Sequence, residues 1–332
     1  MNFKIGNICV EHGQKMKGIM GSITMGDGTE VKTPVIVING SSEGPVLSII
    51  AGVHGPEVSG IWSLITVFKE LDPQQVTGTL VGIPAANPLS VQVGTYKTPI
   101  DDKNISGAGF ISPNPDGGTT ERLSAIISPL LRMSDYVIDL HANPFPSMPF
   151  VLIDLKNCLN EKTRKGTTTI AEAFGLTVIE WNVEKVTSTR SMCVAKGTPA
   201  ITPELAGSIY ISDEISSAGV RGIKNVMRVL GMLKGEFEPQ EVDVIRGDFI
   251  FYGMLVANKG GLIYVKKRPG EKIMTGETVI EIYNLYGEIV DEVLMPVDGY
   301  CWAFTGGIRG THVVTEGDSL AYIFQNRVDF RS

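Results

Sequence analysis

The stretch PVLSIIAGVHGPEVSGIWSLITVFKEL, residues 45–71, holds a strand, a turn and a helix in succession. The apolar run PVLSII is typical of a buried strand, and EVSGIWSLITVFKEL has the spacing of an amphipathic helix. The glycines between them indicate a tight turn, and Pro56 suits the first turn of the helix. His54 and Glu57 therefore lie on the turn, three residues apart.

The same alternation continues from about residue 45 to 235. Strand-like runs such as GTLVGIPAA and YVIDLHA are separated by helical stretches such as AGVRGIKNVMRVLGML. This pattern predicts an α/β fold with a mostly parallel or mixed sheet and helices on both faces. Residues 1–40 show short strands and turns, which indicate an N-terminal β extension. The polar segment KGEFEPQEVDVIRGD favours a boundary near residue 240, giving predicted domains 1–240 and 241–332.

The second predicted domain is all-β and carries a weak repeat. GETVIEI (276–282) and GDSLAYI (317–323) share a glycine, an acid, a hydroxyl residue and an isoleucine at matching places. Two such units resemble the barrel-sandwich fold of lipoyl and biotinyl carriers, which need a lysine at the hairpin between the halves. No lysine follows Lys272. The domain is therefore not expected to be lipoylated or biotinylated, and a structural or lid role is left for it.

The composition limits the classes of function. The chain is 43% hydrophobic and 20% charged with a net charge of −7, as expected for a soluble globular protein. Without a dense positive surface, nucleic acid and anionic membranes are disfavoured as partners. The N-terminus lacks the apolar core of a signal peptide, and the cysteines at 9, 158, 193 and 301 are scattered. We expect a cytoplasmic protein with reduced thiols, and a homo-oligomer stays open.

Two of the four histidines follow strand-like runs. His54 follows SIIAGV, and His141 follows YVIDL. Ligand sites of such sheets lie beyond the carboxyl ends of the strands, so both imidazoles can meet at one edge. A catalytic zinc usually takes three protein ligands and keeps one position for water. His54, Glu57 and His141 fit this count, although a turn with Glu57 at a helix N-terminus is the alternative.

Two further acids could assist. Asp139 lies two residues before His141 on the same strand face and could orient its ring. Glu204, in GTPAITPELAGS, also ends an apolar run and is a candidate general base for a zinc-activated water. The alternatives are a solvated carboxylate for Asp139 and a surface cap of the next helix for Glu204.

These motifs, taken in order, resemble the succinylglutamate desuccinylase/aspartoacylase family, which is related to zinc carboxypeptidases. The resemblance rests on GVHGPEVSG, IPAANPLS, TERLSAII, DYVIDLHANP and GTPAITPELAG, across about residues 40–235. It implies a zinc-carboxypeptidase-like fold with one zinc per chain, and an enzyme that removes an acyl group from an N-acyl amino acid or similar small amide. By position, His54, Glu57 and His141 match the zinc ligands and Glu204 matches the general base.

The sequence departs from the family where the substrate carboxylate is bound. Members carry an Asn-Arg pair in a segment like P-x-D-x-x-N-L-N-R, whereas here Ser106 and Gly107 occupy those places in TPIDDKNISGAGF. A guanidinium that grips a carboxylate with two hydrogen bonds is thus missing there. Lys97, Arg122 and Arg190 are the candidate replacements for substrate binding. The usual acidic amino-acid substrate therefore does not follow from the resemblance.

Other functions stay open beside the amidohydrolase. The altered segment is compatible with a catalytically altered or inactive homologue that binds zinc. A carboxypeptidase-type zinc peptidase would share the ligands, although it also needs a cation for the terminal carboxylate. A serine hydrolase is disfavoured because no GxSxG elbow is present.

Overall fold

The structure is a computed structural model of the chain. It describes residues 2–106, 110, 112–144, 146–207, 211–304 and 312–330. The helices are α1 Val58–Glu70, α2 Pro88–Val93, α3 Thr119–Met133, α4 Glu161–Phe174, α5 Thr189–Ala195 and α6 Asp213–Val229, with 3-10 turns at Pro73–Gln75 and Arg327–Phe330. The strands are β1 Phe3–Ile5, β2 Ile8–Val10, β3 Gln14–Thr24, β4 Glu30–Asn39, β5 Ser42–Ile50, β6 Thr77–Ile83, β7 Tyr136–Asp139, β8 His141–Asn143, β9 Phe150–Ile153, β10 Thr177–Glu180, β11 Ala200–Ala206, β12 Phe249–Val256, β13 Gly261–Val265, β14 Lys272–Ile273, β15 Thr278–Tyr283, β16 Ile289–Leu294, β17 Gly299–Phe304, β18 Val313–Val314 and β19 Ser319–Asn326.

A large mixed sheet runs through the molecule. Among the described residues it has 13 strands, in the order β14-β17-β19-β12-β10-β9-β11-β7-β5-β6-β4-β3, with β8 beside β11. Strands β6, β5, β7 and β11 pair in parallel, as do β9, β10 and β12. Strands β3 and β4 add an antiparallel edge.

Two hydrophobic cores cover the two faces of this sheet. Successive residues of a strand point to opposite faces, so Ile49 enters the core formed with α1, α4 and α6, while Ile50 enters the core formed with α3 and α5. Both side chains are fully buried. The predicted α/β fold with helices on both faces is confirmed.

The C-terminal region is all-β, as predicted, and its strands pair with one another in antiparallel fashion. Strands β16-β15-β13-β18 form a separate four-stranded sheet, and β12, β19, β17 and β14 extend the large sheet. The repeated segments lie in β15 and β19, so they belong to different sheets that pack on a common core. The domain boundary near residue 240 stays a prediction. No helix in the described part of the chain is long and apolar enough to cross a membrane.

Candidate metal and catalytic site

The carboxyl ends of two neighbouring strands bring the histidines together. Strands β5 and β7 are parallel, and their register places Ile50 beside Asp139. His54 follows the first strand and His141 the second, and their ring centroids are 4.9 Å apart. The predicted meeting of the two imidazoles at one sheet edge is therefore found.

Close backbone packing fixes the turn that carries His54 and Glu57. Gly52 has a φ of +61°, a conformation that favours glycine, and a Cβ on Gly55 would lie 1.8 Å from the carbonyl oxygen of Ser90. Helix α1 begins at Val58, so Pro56 lies in the turn before the helix and not in its first turn as expected. Gly52 and Gly55 are thus required by the approach of the 84–95 segment.

Glu57 joins the two histidines through its carboxylate. One oxygen, Oε1, is 2.7 Å from His54 Nδ1, and the other, Oε2, is 3.0 Å from His141 Nδ1. Potential ligand atoms of these three residues lie within 4.8 Å of one another, and all three side chains are buried. A buried group of two imidazoles and one carboxylate is a typical catalytic zinc ligand set.

The second nitrogen of each ring is held by an acceptor oxygen. His141 Nε2 lies 3.1 Å from Asp139 Oδ2, and His54 Nε2 lies 3.3 Å from Asn104 Oδ1. A proton donated from Nε2 leaves Nδ1 with its lone pair, and both Nδ1 atoms face the shared space at Glu57. Oδ1 of Asp139 is buried without a partner among the described residues. Acceptor oxygens at both Nε2 atoms favour the tautomer in which each Nδ1 can bind a metal ion.

The electrostatics of the cluster favour charge separation. Burial acts to raise the pKa of Glu57, but the two imidazoles outweigh it and hold that pKa at about 2. Burial acts to lower the pKa of His141, but Asp139 and Glu57 raise it well above its ordinary value. Glu57 thus stays ionised, and a cation bound at the cluster would take the place of the proton that Asp139 and Glu57 favour on His141.

Glu204 lies beside the cluster on strand β11. Its register places it opposite His141 on the parallel strand β8, and Asn143 Nδ2 donates to its Oε2 at 2.9 Å. Burial raises the pKa of Glu204 to about 7, with His141 opposing the rise and Glu57 adding to it. A carboxyl group with this pKa can accept and return a proton near neutral pH.

Of the three predicted substrate-binding cations, Arg190 is the one whose pKa responds to the charges of Glu204 and Asp139. It is 4% exposed at the start of α5, and its Nε has no hydrogen-bond partner in the described part of the chain. Burial lowers its pKa, and the charges of Asp154, Glu204 and Asp139 oppose that effect. A buried guanidinium with an unused donor indicates a place for an external acceptor.

The other two predicted cations lie away from the cluster. Lys97 Nζ pairs with Asp102 at 2.9 Å, and its side chain is 44% exposed. Arg122 is exposed and donates from Nε to the Gly117 carbonyl. Ser106 donates from its N and Oγ to Asn104 Oδ1, while Gly107 lies outside the described residues.

Three functional candidates were missed or undervalued by sequence reasoning. Asn104, in the segment TPIDDKNISGAGF, contacts His54. The Tyr96 ring stacks on His54, with centroids 3.7 Å apart. Tyr322, from β19, interacts with Glu204 and Glu57, and burial raises its pKa to about 12. Only Asn104 lay in a motif that the sequence singled out.

The fold defines a class, the proteins with a zinc-carboxypeptidase-like fold. Residues 43–230 match the succinylglutamate desuccinylase/aspartoacylase catalytic domain. The chain belongs to this family, as its motifs predicted.

Individual relatives agree with this assignment. The chain is 24% identical over 261 residues to an N-alpha-acetyl-L-2,4-diaminobutyric acid deacetylase of Halomonas elongata, covering 77% of this chain and 75% of that protein. A succinylglutamate desuccinylase/aspartoacylase structure from Rhodobacter sphaeroides superposes with a TM-score of 0.80 at 25% identity, covering 94% of each chain. The product-bound ectoine utilization protein EutE of Ruegeria pomeroyi has the same fold, with a TM-score of 0.85 at 21% identity over 96% of this chain and 98% of that one.

Proposed function

We propose that this protein is a zinc-dependent amidohydrolase that removes the acyl group from an N-acyl amino acid. The observation that carries the proposal is the register of Glu204 opposite His141, beside the buried cluster of His54, Glu57 and His141. A pKa of about 7 for Glu204, beside this cluster, supports its role as the base. Zinc bound there would supply Lewis acidity towards a water molecule and the scissile carbonyl.

The chain's own groups account for the proton movements. Glu204, when ionised, accepts a proton from the attacking water as the water oxygen bonds to the acyl carbon. It then donates that proton to the amide nitrogen as the C–N bond breaks, so the products are a carboxylate and a free amine. Asn143 holds the Glu204 carboxylate through the 2.9 Å hydrogen bond from its amide, and Asp139 keeps His141 in the metal-binding tautomer.

Arg190 is proposed to bind the carboxylate of the amino-acid part of the substrate. Its support is the buried guanidinium, whose Nε has no partner among the described residues. A charge-assisted hydrogen bond to an incoming carboxylate would satisfy that donor. Lys97 and Arg122 are less suited because each is engaged at the surface.

A panel of N-acetyl and N-succinyl amino acids tests the proposal, with the released amine quantified after incubation with zinc-loaded protein. Cationic, acidic and apolar amino acids belong in the panel, since the Halomonas elongata relative is named for a diaminobutyric acid substrate. We expect release of the amine from at least one member. Stoichiometric zinc without turnover on any member would favour a zinc-binding homologue that is not an enzyme.

The same panel separates the peptidase alternative. Dipeptides with a free amino terminus and a C-terminal carboxylate are the substrates of a carboxypeptidase-type enzyme. Turnover of these dipeptides in preference to N-acyl amino acids would contradict the deacylase assignment.

A further inference from the structure

Tyr96 covers one face of a proposed metal ligand. Its ring lies parallel to the His54 imidazole, with a centroid distance of 3.7 Å and an interplanar angle of 19°. The side chain is 50% exposed, so one face of the ring contacts the site while the rest borders solvent. Tyr96 therefore stands at the entrance through which a substrate must approach the cluster.

The hydroxyl of Tyr96 is within electrostatic range of both carboxylates of the site. Burial raises its pKa, and the charges of Glu57 and Glu204 and the Tyr322 hydroxyl raise that pKa further. Glu57 belongs to the metal cluster and Glu204 is the proposed base. A substrate whose scissile amide lies between these two carboxylates is therefore within the surroundings of the Tyr96 hydroxyl.

The hydrogen of this hydroxyl is free to be donated. Oδ1 of Asn104 already accepts from Ser106 N and Ser106 Oγ. The Asn104 side chain lowers the pKa of Tyr96, as its amide N–H does when it faces the phenol oxygen. In the described stretches of the chain, no hydrogen bond has the Tyr96 hydroxyl as its donor. Among those residues the phenol O–H thus lies near Asn104 without an acceptor.

The lysine next to Tyr96 does not take this role. Lys97, the next residue along the chain, is drawn to the surface by Asp102 at 2.9 Å. Amide hydrolysis develops negative charge on the carbonyl oxygen, and donors fixed in advance at that oxygen are the usual means of stabilising it. The phenol O–H of Tyr96 is a neutral donor, and it is compatible with the space near the Glu57 and Glu204 carboxylates.

We infer that Tyr96 is a catalytic residue whose hydroxyl donates a hydrogen bond to the scissile carbonyl oxygen of the substrate. The inference rests on the proposed function, because it concerns the same amide. The donor acts as negative charge builds on that oxygen, and its proton stays on Tyr96 throughout. The ring stack on His54 gives the side chain a second, separable task, which is to support the metal ligand.

The test compares Tyr96→Phe, which keeps the ring and loses the hydroxyl, with Tyr252→Phe. Tyr252 lies on β12 and is also 50% exposed, so it is a matched control. For Tyr96→Phe on the best N-acyl amino acid we expect kcat to fall by about 10²-fold. We expect KM to stay within about threefold and zinc content to stay unchanged, because KM effects belong to uniform binding. Tyr252→Phe should match the wild type in all three quantities.

A binding measurement supports the kinetics and does not depend on turnover. A phosphonate analogue of the tetrahedral intermediate, titrated by calorimetry into zinc-loaded protein, should bind Tyr96→Phe about 10²-fold more weakly than wild type. The product amino acid should bind both proteins equally. If the wild type shows no turnover, the proposed function fails, and the phosphonate titration still decides the role of Tyr96.

Two results would overturn the inference. One is a Tyr96→Phe protein with wild-type kcat and wild-type phosphonate affinity. The other is loss of activity together with loss of zinc, which would assign Tyr96 to the support of His54 alone.

Discussion

Glu204 stands directly opposite His141 on the neighbouring parallel strand, in register with it. The distance from the proposed base to a metal ligand is thus set by backbone hydrogen bonds between β8 and β11 and not by a loop. Sites built on strands hold their geometry more tightly than sites built on loops. Substitutions at Glu204 should therefore change chemistry without moving the ligands.

Replacing the base is the first prediction. Glu204→Gln keeps the shape of the side chain but cannot accept a proton, so kcat should fall by about 10²- to 10⁴-fold while zinc content is unchanged. Steady-state kinetics and metal analysis on the same preparation check this. Glu236→Gln, at an exposed position, is the control and should leave kcat unchanged. Wild-type turnover in the Glu204 variant would show that another group is the base.

The pH dependence follows from the raised pKa of Glu204. The base works only when ionised, so kcat/KM should rise as the pH rises through the pKa of about 7. Zinc in the site would move this rise in kcat/KM to lower pH, because its positive charge favours the ionised carboxylate. Asn143→Ala removes the hydrogen bond that stabilises the ionised Glu204 carboxylate. The rise in kcat/KM should therefore move to higher pH by about one unit. A shift to lower pH, or none, would count against the assignment.

Arg190 should govern substrate binding. Arg190→Gln removes a charge-assisted hydrogen bond worth about 1.5–3 kcal/mol, so KM for an N-acyl amino acid should rise by at least about tenfold. This rise in KM should be much smaller for the substrate analogue in which a carboxamide replaces the carboxylate, because the carboxamide carries no charge. Arg164→Gln, on the exposed side of α4, is the control. A larger KM effect from Lys97→Met or Arg122→Gln than from Arg190→Gln would contradict this choice.

Asp139 should set the affinity for zinc through His141. Asp139→Asn weakens the acceptor at His141 Nε2 and should lower zinc affinity by about 10- to 100-fold. Competition with a fluorescent zinc chelator measures the dissociation constant directly. Asp116→Asn, at an exposed loop position, should leave that constant unchanged. Equal affinities in the two variants would assign Asp139 a purely structural role.

The sequence was most informative where local pattern and parallel pairing act together. The run before His54 and the run before His141 each identified a strand, and parallel strands necessarily bring their ends to one edge. Glu204 followed from the same reasoning because it ends a third run. Predicting these contacts requires no knowledge of the loop conformations.

What the sequence could not predict depends on contacts made over long distances. Tyr96 lies in an irregular segment after α2, where no periodicity shows which way a side chain points. Tyr322 reaches the site from β19, and this depends on β12 pairing with β10, which continues the large sheet into the C-terminal region. The repeat of GETVIEI and GDSLAYI suggested two equivalent units, although their strands join different sheets.

The central claim is that catalysis needs one zinc bound by His54, Glu57 and His141. Its most direct test is a zinc titration of chelator-treated protein, with amine release from the best N-acyl amino acid measured at each step. The account predicts activity that rises linearly and levels off at one zinc per chain, with no recovery in Glu57→Gln. Full activity in metal-free protein, or zinc-restored activity in Glu57→Gln equal to wild type, would contradict it.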